Sequence, residues 1–158
     1  ESVTGQTFRK LADQTNQGND FGDWDPKEFS VEDSAFGFIR MKNGAVIELE
    51  AAWALNTLEV DEAKTSLCGT KAGADMKDGL RINYIHHNKQ VVEKPALSGE
   101  GVAFFSGEEK PAYEQELFYH IVADGAEQIV KPAQAAVVTR VLEAIYESAK
   151  SGKTIYFD

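Results

Sequence analysis

One cysteine, Cys68, is all the thiol this chain has, so an internal disulfide is excluded. With no base near it in Thr65-Ser66-Leu67-Cys68-Gly69, that thiol reads as a buried structural residue rather than a reactive one. No stretch approaches the run of about 18 apolar residues that a membrane helix needs. The start also lacks the basic-then-apolar pattern of a secretory signal. It runs Glu1-Ser2-Val3-Thr4-Gly5 without a Met, which suggests a fragment or processed chain, and cytoplasmic residence is the simplest expectation. Basic residues are scarce, 16 Lys and Arg against 26 Asp and Glu, for a net charge of −10. Nucleic acid binding requires clustered cations to displace counterions, so that partner is excluded and an anionic membrane disfavoured.

Cofactor and metal signatures are missing too. A dinucleotide loop needs Gly-x-Gly-x-x-Gly between a strand and a helix. Gly69-Thr70-Lys71-Ala72-Gly73 has the wrong spacing and no helical pattern after it. The chain has three histidines. His86 and His87 are neighbours on an expected strand and should point to opposite faces. His120 sits in a helical segment with no partner expected at ligand spacing, so no metal is expected.

What is present suits one ordinary globular domain, with 42% hydrophobic and 10% aromatic residues in 158. Strands are expected at Ser2–Phe8, at 31–42 and 45–56, and at about 62–69, 80–86 and 90–93, with a last short one at 154–157. The pair Asn43-Gly44 suggests a two-residue type I′ hairpin turn. That register places Phe38 opposite Leu49 and Phe36 opposite Ala51. Phe36, Phe38, Ile47, Leu49 and Trp53 would then share an apolar face, with Glu48 and Glu50 opposite, near Gly37, Ile39 and Met41. Residues 9–30 form a long polar loop, of the kind that is often functional. Residues 71–79 read as a connector, and a second irregular stretch spans 95–111.

Helical spacing then takes over. Leu117, Phe118, Ile121 and Val122 form one stripe, with Pro111 near the start, Glu114 and Glu116 in the first turn and Gly125 as the stop. Val138, Val141, Leu142, Ile145 and Ala149 form a second, between Pro132 and Gly152. Strands followed by helices give an α+β fold: a mostly antiparallel open sheet with helices on one face.

Candidate site residues come from the polar loop and the end of the hairpin. Trp24, between Asp23 and Asp25, lacks an obvious packing reason, and aromatic faces stack on sugars while Asp, Asn and Arg bond their hydroxyls. Arg9, Trp24, Asp25, Trp53 and Asn56 are therefore the expected substrate-binding residues, with a plain core role open for Trp53. Glu32-Asp33 is a carboxylate pair, but neighbours on a strand diverge, so its expected role is to order the strand entry by hydrogen bonds.

The blocks Val31-Glu32-Asp33-Ser34-Ala35-Phe36-Gly37-Phe38-Ile39-Arg40, Asn43-Gly44-Ala45 and Leu49-Glu50-Ala51-Ala52-Trp53-Ala54 stand in order along the chain. Gly69-Thr70-Lys71-Ala72-Gly73-Ala74 follows, and Leu142-Glu143-Ala144-Ile145-Tyr146-Glu147-Ser148-Ala149 precedes Gly152-Lys153. Together they resemble the C-terminal domain of the Gfo/Idh/MocA oxidoreductases over nearly the whole length. The resemblance implies a glyceraldehyde-3-phosphate-dehydrogenase-like C-terminal fold, with residues 1–158 as one substrate-binding and oligomerisation domain. The full-length enzyme would pass hydride between NAD or NADP and a sugar, inositol or related polyol. The cofactor would sit in an N-terminal dinucleotide-binding domain, so this chain would bind none and carry no catalytic residue. A homodimer or homotetramer through the sheet face is implied as well.

Glu93-Lys94-Pro95 and Glu109-Lys110-Pro111 both spell the family's catalytic motif, but that motif belongs to the nucleotide-binding domain, and both copies read as chance. Two other classes stay open: a stand-alone carbohydrate- or peptide-binding module, and a self-association domain using Ile39, Met41 and Val46 beside the glutamates.

Overall fold

A computed structural model describes residues 1–14, 23–53, 64–76, 79–95 and 110–157, with residues 110–113 described by their backbone alone. The chain forms two compact units, Glu1–Thr57 with Gln128–Asp158, and Leu58–Glu127.

In the first unit, β1 (Ser2–Phe8), β2 (Ser34–Arg40), β3 (Val46–Ala52) and β8 (Ile155–Tyr156) form an antiparallel sheet of order β3-β2-β1-β8. Helix α2 (Pro132–Ser151) covers one face. Proline at its first turn fits the fixed φ of that position, and the preceding Lys131 N–H is taken by Gln134 Oε1 at 2.8 Å. Gly152 ends it in the left-handed region, φ 68°, with its N–H on the Ser148 carbonyl at 2.8 Å.

The core is Val3, Ile39, Ala144 and Ile145, with Met41, Leu49, Val141, Ile155 and Phe157 packed against it. Gly5 and Gly37 face each other across β1 and β2 and make the seat for Ile145. A methyl at Gly5 would lie 2.7 Å from Ile145 Cγ2 and 2.9 Å from its Cα. The helix can come this close only because both positions lack a Cβ. Beyond the short β8, the Gly5 N–H is taken by the buried Ser148 Oγ at 2.9 Å.

The helix buries a different stretch from the one its apolar spacing suggests. Ala144, Ile145 and Ser148 are buried, while Val138 and Leu142 stay exposed. A 20-residue helix is about 30 Å long and outruns a 7-residue strand of about 23 Å, so only its second half meets the sheet.

The hairpin register also differs. Met41 N–H bonds Ala45 O at 2.8 Å and Gly44 N–H bonds Met41 O at 3.0 Å, which closes a three-residue loop, Lys42-Asn43-Gly44. Only Gly44 has a positive φ there, 86°, and Asn43 Oδ1 instead accepts the Ala45 N–H at 3.0 Å. This is the type I turn with a glycine bulge. One extra loop residue slides the pairing, so Phe36 lies opposite Glu50 and Phe38 opposite Glu48. The open face thus carries Phe36, Phe38, Glu48 and Glu50, and Ile39 is buried under α2.

The second unit holds β4 (Ser66–Cys68), β5 (Ala72–Asp75), β6 (Arg81–His86) and β7 (Lys89–Glu93) in the antiparallel order β4-β5-β6-β7, and α1 (Lys110–Ala123). Strand β5 lies where the sequence suggests a connector. Its composition is poor for a strand, but neighbours on both sides and the bidentate Arg81–Asp75 pair, 2.7 and 2.6 Å, hold it. The turn with two positive φ angles is at His87 (47°) and Asn88 (59°). Curling there brings the two histidine rings to 4.2 Å, not to opposite faces. Cys68 is exposed on β4 rather than buried. His120 does have helical partners, Asp124 at 2.5 Å and Glu116 at 3.9 Å. Helix α1 starts before the expected first turn, so Glu114 and Glu116 lie further in. Among the described residues, no helix is long and apolar enough to cross a membrane.

Candidate functional site

At the end of the first sheet, where β1 exits and β3 closes, Trp24 and Phe29 of the polar stretch meet Trp53 in an aromatic corner. Trp24 packs edge-on to Trp53 with ring centroids 5.2 Å apart, and Phe29 lies 5.7 Å from each. The Trp24 indole N–H donates to Ala12 O at 2.8 Å, so the ring is anchored on its polar side as well. Asp25 builds the turn between Trp24 and Phe29. Its carboxylate accepts the Lys27 N–H at 2.8 Å, and its carbonyl accepts those of Glu28 and Phe29 at 3.0 and 3.1 Å. Arg9 lies over the Phe29 ring at 5.6 Å and donates to Pro26 O at 3.3 Å.

Four expected site residues, Arg9, Trp24, Asp25 and Trp53, therefore meet in one corner. Asn56 lies outside the described residues. Trp53 is not core: it keeps 43% of its surface exposed. The sequence reading misses Phe29, and the signal for it is its spacing, an apolar residue four positions after Asp25 in a polar stretch.

Behind the corner sits Asp33, 1% exposed. Its carboxylate accepts the N–H of Leu11 at 2.8 Å, the Ser34 hydroxyl at 2.9 Å and the Lys10 N–H. Burial alone would push this carboxyl up. The Leu11, Ser34 and Lys10 hydrogen bonds, with the Lys10 charge, outweigh it and hold the group below its ordinary value. Asp33 thus orders the strand entry, the role expected of the pair. Its neighbour Glu32 does something else. The Glu32 carbonyl accepts the Trp53 indole N–H at 3.3 Å, and its carboxylate accepts the Tyr146 hydroxyl from α2. That bond first, then burial and the Glu32 charge, push the Tyr146 phenol up.

The second unit offers a concave sheet face of about 510 Å3, lined in part by Cys68, Asp75, Arg81, Asn83 and Gln90. Gly69 N–H bonds Ala72 O at 3.0 Å there, so the glycine pair turns between two strands and presents no helix N-terminus to a pyrophosphate. Glu93 ends β7 and reaches the Tyr84 hydroxyl at 3.3 Å. Of the other Glu-Lys-Pro copy, Glu109 lies outside the described residues and Lys110 and Pro111 open α1. Among the described residues, no three His, Cys, Asp or Glu side chains gather as a metal site.

The chain matches the oxidoreductase family C-terminal alpha/beta domain of the Gfo/Idh/MocA proteins over residues 1–157. It belongs to that family. This domain is 31% identical over 155 residues to the D-glucoside 3-dehydrogenase of Escherichia coli strain K12, covering 98% of the chain and 42% of the relative. Its fold matches levoglucosan dehydrogenase in the apo form, at 20% identity and TM-score 0.69, over 98% of this chain and 45% of that one. The same enzyme in complex with NADH and L-sorbose gives 18% and 0.68, over 98% and 43%. The domain thus spans less than half the length of these relatives.

Proposed function

We propose that this domain is the substrate wall and assembly surface of an NAD- or NADP-dependent dehydrogenase acting on a sugar, inositol or related polyol, and that it is not catalytic alone. The aromatic corner carries the reading. A half-exposed Trp53, braced by Trp24 and Phe29 and flanked by Arg9 and Asp25, offers a rigid apolar face with polar groups around it. Such a face suits a polyhydroxylated ring. The names of the relatives, a glucoside dehydrogenase and a dehydrogenase held with NADH and a sugar, support the same reaction class. The nicotinamide and the acid–base residues would belong to a nucleotide-binding domain outside this sequence. The open face, with exposed Phe38 and Val46 beside Glu48 and Glu50, would meet a second copy in a homodimer or homotetramer.

The test has two parts. The chain is titrated with NADH and NADPH, reading energy transfer from Trp24 and Trp53. No saturation up to millimolar cofactor is expected, and micromolar binding would overturn the division of labour. In the intact enzyme, Trp24→Ala and Asn56→Ala should raise KM for the sugar. If both leave KM and kcat unchanged, the corner is not the substrate wall.

A further inference from the structure

Glu32 ties three elements of the corner together. It precedes the buried Asp33 at the entry to β2, it receives the Trp53 indole N–H on its carbonyl at 3.3 Å, and it receives the Tyr146 hydroxyl of α2 on its carboxylate. The site remains open to solvent, with Tyr146 48% and Trp53 43% exposed. A carboxylate has about four lone-pair sites, so one phenol fixes its orientation and leaves acceptors for other hydroxyls. A fixed acceptor next to an indole can bind the hydroxyl edge of a ring whose flat face lies on the indole. The carboxylate also sets a charge requirement. Arg9 lies against Phe29 and donates to Pro26 O, and the exposed Asp25 adds a second carboxylate. An anionic group bound against the Glu32 carboxylate would meet like charge.

We infer that Glu32 is a specificity-determining residue of the corner, aligned by Tyr146 as its positioning residue, and that it selects neutral polyhydroxylated rings over sugar acids. The inference rests on the proposed substrate wall and deepens it. The neighbouring Asp33 is spent on backbone N–H groups and a serine, so of this carboxylate pair only Glu32 has capacity left for a ligand.

In the intact dehydrogenase, kcat/KM is measured for a neutral hexopyranoside and the matching hexuronate. Wild type is compared with Glu32→Gln, Tyr146→Phe and Trp24→Ala, with melting temperatures alongside. Wild type should prefer the neutral ring. Glu32→Gln retains an acceptor oxygen for Tyr146 and removes the charge, so it should narrow the preference by about tenfold or more, chiefly through KM. Tyr146→Phe should raise KM for the neutral sugar with less change in kcat, an effect that a purely structural tie would not split in this way. A wild-type preference for the uronate overturns the inference, as does an equal effect of Glu32→Gln on both substrates. In either case, a KM rise in Trp24→Ala leaves the substrate wall standing. Silence of both Trp24→Ala and Glu32→Gln overturns the two together.

Discussion

Asp33 is the residue on which the corner depends most, because one buried carboxylate holds two amides of the segment leaving β1 and a hydroxyl at the start of β2. Replacing it with Asn keeps the shape but turns an acceptor into a donor against N–H groups, for an expected loss of about 1–3 kcal/mol in urea unfolding. The pH dependence has a definite sign. The native carboxyl lies below the ordinary aspartate value of 3.8, so its stabilisation is complete above that value and drains away as pH falls through the native one. The gap between wild type and Asp33→Asn should therefore be widest at neutral pH and narrow below about pH 4. The role of Asp33 in ordering the strand entry is legible in the sequence, because adjacent strand residues diverge. Its burial and its partners at Lys10 and Leu11 are not, since the loop that brings them back leaves no local pattern.

At the scale of elements, two glycines and a helix cap invite comparison. Gly5→Ala sets a methyl against the Ile145 backbone, so the helix must move, whereas Gly37→Ala meets side-chain atoms alone, Ile145 Cδ1 at 2.8 Å and Cγ1 at 3.3 Å and Ile39 Cδ1 at 3.4 Å. Thermal unfolding should show Gly5→Ala to be the costlier change, by about 1–3 kcal/mol, with Gly37→Ala partly relieved by a rotamer shift. Gly152→Ala meets nothing within 4 Å, and its cost should be about 1 kcal/mol from the left-handed backbone alone. The hairpin marks a limit of sequence reading. Asn-Gly is compatible with both the two-residue turn and the bulged three-residue loop, and the two differ by one residue of register. Burial decides it: the observed register places Gly37, Ile39 and Leu49 beneath α2 and leaves the glutamates in water.

At the scale of the molecule, the buried residues among those described all belong to the first unit. Amide exchange should therefore be slowest in β1 and β2, and faster in β6 and β7 despite their full ladder, a contrast that exchange mass spectrometry can read. An antiparallel ladder open to solvent has little apolar packing to oppose its opening.

The sequence by itself determined the family, through the resemblance of its ordered blocks, and the fold class, and it singled out Arg9, Trp24, Asp25 and Trp53. The fold class follows from alternation, helical spacing and turn residues, which are local. The tertiary structure decided the hairpin register, the existence of β5, the exposure of Cys68, and the meeting of Trp24 with Phe29 and Trp53. It also decided the pairing of Glu32 with Tyr146, 114 residues apart. Each of these is set by which surface covers which, and a one-dimensional pattern has no term for that.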